Sequence, residues 1–187
     1  MDTRPAATVA LRQLGPADAA QYRALRLAGL RAFPHAFQPA VEEALAQPLA
    51  WAEARLSKAG EYWFGAFDGA QLDSAEMVGA LCLRMQEGAK IRHSASLNAL
   101  VVDPRRQREG IAAALVGHLV GFARALGHVR QITLTVNDGN TAAIGLYERF
   151  GFRQFGLEPD AFLHDGQYYA KQHRQLSLVR THATPTS

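Results

Sequence analysis

The residues best suited to chemistry lie in one stretch, 101–115, VVDPRRQREGIAAAL. An apolar run ends at Asp103-Pro104, and Arg105, Arg106, Gln107, Arg108 and Glu109 lead to Gly110 and a segment of small residues. The order reads as strand, tight loop and helix N-terminus. A first helical turn has N–H groups without partners and sits at the positive end of the helix dipole. Together these can bind phosphate. Gly110 lets an anion approach the backbone, and Arg105, Arg106 and Arg108 are expected to surround it with fixed positive charge. The loop lacks the lysine of a P-loop, and its glycines do not fit the dinucleotide fingerprint.

A second constellation lies downstream. Asn140, Ala143, Leu146, Tyr147, Gly151 and Phe152 follow the order N-x-x-A-x-x-L-Y-x-x-x-G-F. Asn140 and Tyr147 are seven residues apart, about two turns along one helix face. A ligand lying on that face would touch both. Asn140 could serve only as an N-cap, and Tyr147 only as core packing with a satisfied hydroxyl. Beside a phosphate loop, ligand roles are the favoured reading for both. Asn137 and Asp138 read as turn residues and bystanders.

The run Gln107-Arg108-Glu109-Gly110-Ile111-Ala112 matches Q/R-x-x-G-x-G/A. With the second pattern following in this order, the chain resembles the GNAT acetyltransferases. The resemblance covers residues 91–152 well and is weaker over the closing strands. It implies an α/β fold, with a central mixed, mostly antiparallel twisted sheet splayed at the acyl-CoA site and flanked by helices. It implies acetyl-CoA as co-substrate. The pantetheine arm would pair with the backbone of Leu100, Val101 and Val102. The pyrophosphate would sit on Gln107, Arg108, Glu109, Gly110, Ile111 and Ala112, with Asn140 near the same ligand. Tyr147 matches the tyrosine that protonates the departing thiolate. The implied activity is acetyl transfer to a primary amine of a small molecule, peptide or protein by direct attack, with fixed N–H donors stabilising the developing oxyanion.

The sequence departs from the family at one point. Some members carry a glutamate base on the strand before the loop, and counting back places Ser96 there. His93, Glu76 and His164 are the remaining base candidates, each more readily read as solvated or structural. Proton loss through ordered water is the favoured route. Two other classes stay open. A non-catalytic acyl-CoA-binding module or sensor would keep the loop but would not need Tyr147. A basic interaction protein would use the RRQR run on acidic partners.

Composition sets wider bounds. A length of 187 residues suits one domain, here expected over 1–187 with a core at about 8–178 and a frayed polar tail at 181–187. The hydrophobic share is 48%, the charged share 20% and the formal charge +3, all ordinary for a soluble protein. One dense basic cluster without interleaved aromatics argues against nucleic acid as a partner. Cys82 is the one cysteine, so no internal disulfide can form and a cytoplasmic location is expected. It reads as a buried, inert thiol. There is no signal-like N-terminus and no run suited to a membrane span. The seven histidines show no paired metal spacing, so no metal is expected. The expected partner is an amine acceptor, with a homodimer left open.

Several elements must position these residues. A strand is expected at 8–14 and an amphipathic helix at 17–32, ended by Pro34. Helical segments at 41–59 break at Pro48, with Trp51 and Leu56 turned inward. Strands follow at 61–67, 75–85 and 91–102. In the third, Leu97, Ala99 and Val101 should share one face, and Asn98, Leu100 and Val102 the other. The helix after Gly110 carries Ile111, Leu115, Leu119, Phe122 and Leu126 on its inner side. A strand with Ile132, Leu134 and Val136 inward, a helix at 141–150, and strands at 152–157 and 168–178 complete the reading. Asp165-Gly166 marks the last turn.

Overall fold

The computed structural model describes residues 9–36, 40–69 and 75–179. The linker at 70–74, Phe37 and the tail at 181–187 lie outside the described residues. In chain order the elements are β1 (Val9–Gln13), α1 (Ala19–Ala32), α2 (Val41–Ala46), α3 (Leu49–Leu56), β2 (Glu61–Asp68), β3 (Glu76–Met85), β4 (Ser94–Val102), α4 (Ile111–Ala125), β5 (Gln131–Asn137), α5 (Thr141–Arg149), β6 (Arg153–His164) and β7 (Gln167–Ser177). Among the described residues, no helix is long and apolar enough to cross a membrane.

The strands form one sheet in the order β1-β2-β3-β4-β5-β7-β6. Every pairing is antiparallel except β4 with β5. This is the mixed, mostly antiparallel α/β fold that the resemblance implies. Helices cover both faces, so the central strands are apolar on both sides. Leu81 and Leu83 of β3 join Ile111, Leu115, Leu119 and Leu146 in one core cluster. Met77, Ala80 and Cys82 of the same strand join Tyr22, Leu25, Leu56 and Trp63 in the other. The period of two sends alternate residues to α4 and α5 or to α1 and α3.

Three expectations need correction. The strand expected from Ile91 starts at Ser94, because residues 88–93 form turns, with Gly88 at φ 109 and Ile91 exposed. Pro48 does separate α2 from α3, as the N-cap of α3 with ψ 165, but Trp51, expected inward, is only half-buried. The third correction is the alternation in β4. Ala99 has φ 55, and the β3–β4 register slips between Ala80 and Cys82. This bulge inserts one extra residue and exchanges the faces beyond it. Leu97 packs in the α4 cluster, and Val101 in the α1 cluster.

Candidate active site

The ladder between β4 and β5 is short. Ser94, Ala95 and Ser96 pair with Gln131, Ile132 and Thr133, and pairing stops there. Beyond it the two strands run on to Val102 and Asn137 without pairing to each other. The Ala99 bulge sits in the divergent part, where it bends the strand and ends regular pairing. The result is a wedge whose β4 wall offers unpaired backbone groups, a template for an extended partner. A cleft of about 500 Å³ opens there, with Leu97–Leu100 on one wall and Thr135–Asn137 on the other. Leu100 lines it. Val101 is turned into the α1 cluster, and Val102 lies outside the lining.

The loop after β4 is built on Asp103. Its carboxylate accepts from the Arg105 backbone N–H at 2.8 Å and from Arg105 Nε at 3.1 Å. The Arg105 side chain holds the Asp103 carboxyl below the usual carboxylate range. Arg105 also pairs with Glu76, and Arg106 pairs with Asp68 and Glu109. The expected cluster of three available charges is therefore reduced. Arg105 and Arg106 are spent on carboxylates, while exposed Arg108 makes no ion pair among the described residues. Gln107 reaches back toward the Val102 carbonyl at 3.4 Å.

Gly110 is the N-cap of α4, at φ 81 and ψ 0. A Cβ added there would meet nothing within 4 Å, so it would project into open space. Ala114 N–H donates to the Gly110 carbonyl at 2.9 Å, and the amides before it have no partner within the helix. Packing fixes where this helix begins. Ile111 and Leu115 sit over Gly79 of β3, where an added Cβ would stand 2.9 and 2.8 Å from their methyls. The residues 107–112 do not line the cleft itself. They stand at the end of β4, beside it.

α5 supplies the opposite wall. Asn140 Oδ1 accepts from Ala143 N–H at 3.1 Å, so Asn140 is a working N-cap. It also lines the cleft, as does Tyr147 two turns later. The Tyr147 ring packs edge-on against Phe152 at 5.8 Å, and the residue is only 6% exposed. Its hydroxyl makes no hydrogen bond among the described residues. Burial pushes its pKa well above the usual phenol range. Packing and cleft-lining thus coincide in one residue. Asp138 accepts from Gln172 at 2.7 Å as a turn residue, whereas Asn137, read as a bystander, lines the cleft.

The base candidates are placed elsewhere. Ser96 Oγ accepts from Asn98 Nδ2 at 2.8 Å, and it is Asn98 that lines the cleft. Glu76 is held by Arg105, and His164 lies 3.3 Å from Asp165 at the β6–β7 turn. His93 precedes β4, its carbonyl accepting from Arg130 N–H. None of the three lines the cleft. Exposed Glu43 of α2 does, and sequence reasoning missed it. It also missed Arg26, Trp51 and Arg55, which line the side formed by α1 and α3. Arg26 had a legible signal. It stands four residues from Tyr22 and four from Leu30, both fully buried, so a charge interrupts the inner stripe of α1.

A family model described as the acetyltransferase (GNAT) family matches residues 24–152. The chain is 30% identical over 93 residues to the L-amino acid N-acetyltransferase AaaT of Escherichia coli strain K12, a match spanning 50% of this chain and 57% of that protein. It is 42% identical over 60 residues to the ribosomal protein bS18-alanine N-acetyltransferase of the same strain, spanning 32% of this chain and 40% of the relative. The chain therefore aligns with about half the length of these relatives. A GNAT-family acetyltransferase structure from Streptococcus pneumoniae superposes with a TM-score of 0.75 at 20% identity, covering 90% of this chain and 98% of that one. The yncA structure from Salmonella typhimurium, solved with its cofactor acetyl-CoA, gives 0.73 at 21% identity, covering 97% and 99%. At these identities the structural likeness is one of fold. The family match runs from within α1 through the wedge, the loop and α5, and the chain belongs to the acetyltransferase (GNAT) family.

Proposed function

We propose that this protein transfers the acetyl group of acetyl-CoA to a primary amine by direct attack. The observation that carries the reading is the β4–β5 wedge, with the Gly110 helix start beside it and Tyr147 on its far wall. Around Leu100, Val101 and Val102 the side of β4 that faces β5 has no strand partner, and it suits an extended amide chain. The N–H groups from Gln107 to Ala112, with the Arg108 side chain in the same turn, suit a pyrophosphate. The open side of Gly110 leaves room for it. Asn140 holds the start of α5 and so sets where Tyr147 falls.

Acetyl-CoA brings the activated thioester, and the residues here orient it and manage protons. The amine nitrogen forms the new N–C bond, and the C–S bond breaks with its electron pair on sulfur. Sulfur then takes up a proton while nitrogen gives one up. Tyr147 is the donor nearest that role. A covalent enzyme intermediate has no support, because Cys82 is fully buried and burial pushes its thiol up to about 12. The named activities of the Escherichia coli relatives and the acetyl-CoA in the Salmonella structure support the same reading.

The test is free-thiol release from acetyl-CoA against a panel of primary amines. Amine-dependent release supports acetyl transfer. Tight acetyl-CoA binding without release on any amine would make the protein a binding module instead.

A further inference from the structure

The α1 and α3 side of the cleft carries two cations with no carboxylate partner among the described residues. Arg26 and Arg55 both line the cleft and make no ion pair among the described residues. The Nε of each is buried without a hydrogen-bond partner. Most other arginines near the site differ. Arg84 is held by Glu61 at 2.9 Å, and Arg105 and Arg106 by acidic neighbours.

The two guanidiniums share an aromatic bed. Arg26 Cζ lies 5.7 Å from the Trp51 ring centre, and Arg55 Cζ lies 5.1 Å from it and 4.8 Å from Trp63. The Tyr22 hydroxyl is buried beside both. Ring faces hold cations in place, yet they leave the N–H donors unused. Two like charges in a partly dry site are unfavourable unless an anion arrives. Burial, and the like charge of Arg55, already hold Arg26 below the usual arginine value. The acidic residue lining the cleft, Glu43, is exposed and pairs with neither.

The phosphates of the co-substrate have their own seat at the Gly110 helix start, outside the cleft lining. The anion for Arg26 and Arg55 must then belong to the other substrate. We propose that Arg26 and Arg55 seat a carboxylate of the acceptor, so that the acceptor is a small amine bearing a carboxylate, such as a free amino acid. This rests on the acetyltransferase reading for its amine. The guanidinium fork matches a carboxylate in two-pronged geometry, and Trp51 offers a flat apolar wall for the acceptor's carbon chain. The amine then points toward the β4–β5 wedge and Tyr147, across the same cleft.

The experiment compares L-amino acids with the matching L-amino acid amides, which keep the amine and lose the negative charge. In the wild type, kcat/KM for thiol release should be about 10–100-fold higher with the acids, the range for hydrogen bonds to a charged group. Arg26→Gln and Arg55→Gln should remove that preference while leaving the KM for acetyl-CoA unchanged. Arg55→Lys should restore part of it. Equal use of acids and amides by the wild type, or equal losses on both in the glutamine variants, would overturn the seat and leave the acetyltransferase reading intact. Binding is read separately through tryptophan fluorescence, since Trp51 adjoins both guanidiniums. Saturable change with acids, absent in Arg26→Gln and Arg55→Gln, supports the seat even if no thiol is released, and that result would count against acetyl transfer. No saturable change with any acid in the wild type overturns the seat.

Discussion

Tyr147 is the sharpest place to separate chemistry from packing. In Tyr147→Phe the ring remains and continues to meet Phe152 edge-on at 5.8 Å, so no cavity opens. The deleted hydroxyl makes no hydrogen bond among the described residues, so no buried partner is left unsatisfied. Stability should therefore stay within about 1 kcal/mol of the wild type, since the ring packing is kept and no partner is orphaned. Catalysis should behave differently. A thiol ionises near ~8.5, while burial holds the Tyr147 hydroxyl far above the usual phenol range. In the proposed mechanism Tyr147 hydrogen-bonds the sulfur as charge develops and then passes it the proton. A fixed donor of this kind contributes about 2.7–4 kcal/mol, or ~10²–10³ in kcat. The assay is kcat from thiol release, with a thermal melt and calorimetric binding of acetyl-CoA on the same samples. In addition, wild-type kcat should show no loss from Tyr147 ionisation up to about pH 10, the ordinary phenol value, because the shift is upward. A variant with unchanged melting and kcat within about threefold of wild type would refute the donor role, being far below the expected range.

The loop gives a second prediction. Gly110→Glu places a charge in the open space beside a backbone at φ 81, and should weaken acetyl-CoA binding by at least about tenfold, ~1.4 kcal/mol. Gly110→Ala carries the same backbone strain without the charge and should lose less; equal affinities for wild type and Gly110→Glu by calorimetry would remove the loop from the site. Proton loss from the amine gives a third. The kcat/KM should rise toward the acceptor amine's own pKa, ~10.4 for a lysine-like amine, and alanine at His93, His164 or Glu76 should change it by less than about threefold, well under the usual effect of a general base. A limb near neutral pH that disappears in Glu43→Ala would instead name Glu43 as the base. Acid stability gives a fourth. Asp18 and Asp103 are held below their ordinary value of 3.8, chiefly by hydrogen bonds from Arg12 and Arg105. Their contribution is complete above about pH 4 and is lost as pH falls through the lowered values. Urea melts should show Asp103→Asn less stable than wild type at pH 7, with the gap closing below pH 4; a gap independent of pH would contradict the linkage.

The parts of this protein that local physics controls were legible in the chain. Apolar runs joined through the Asp68-Gly69 turn signal placed β2 and β3, alternation placed β5, and the 3.6 period placed α1 and α4. Gly110 and Asn140 marked helix starts through backbone needs confined to a few residues, φ 81 in one case and a side-chain cap in the other. The order of the loop and α5 motifs marked the family. The tertiary structure decided what depends on partners distant in sequence. The Ala99 bulge exists because β4 must pair with β3 on one side and part from β5 on the other, and no local pattern announces that. Arg105 and Arg106 looked available until Glu76 and Asp68 were folded against them. Arg26 and Arg55, 29 residues apart in the chain, share a ring only because α1 and α3 pack on the same sheet face. Spacing within one element reports which side chains share a face. Which charge finds a counterion, and which is left facing a cleft, is set by the packing of elements against one another.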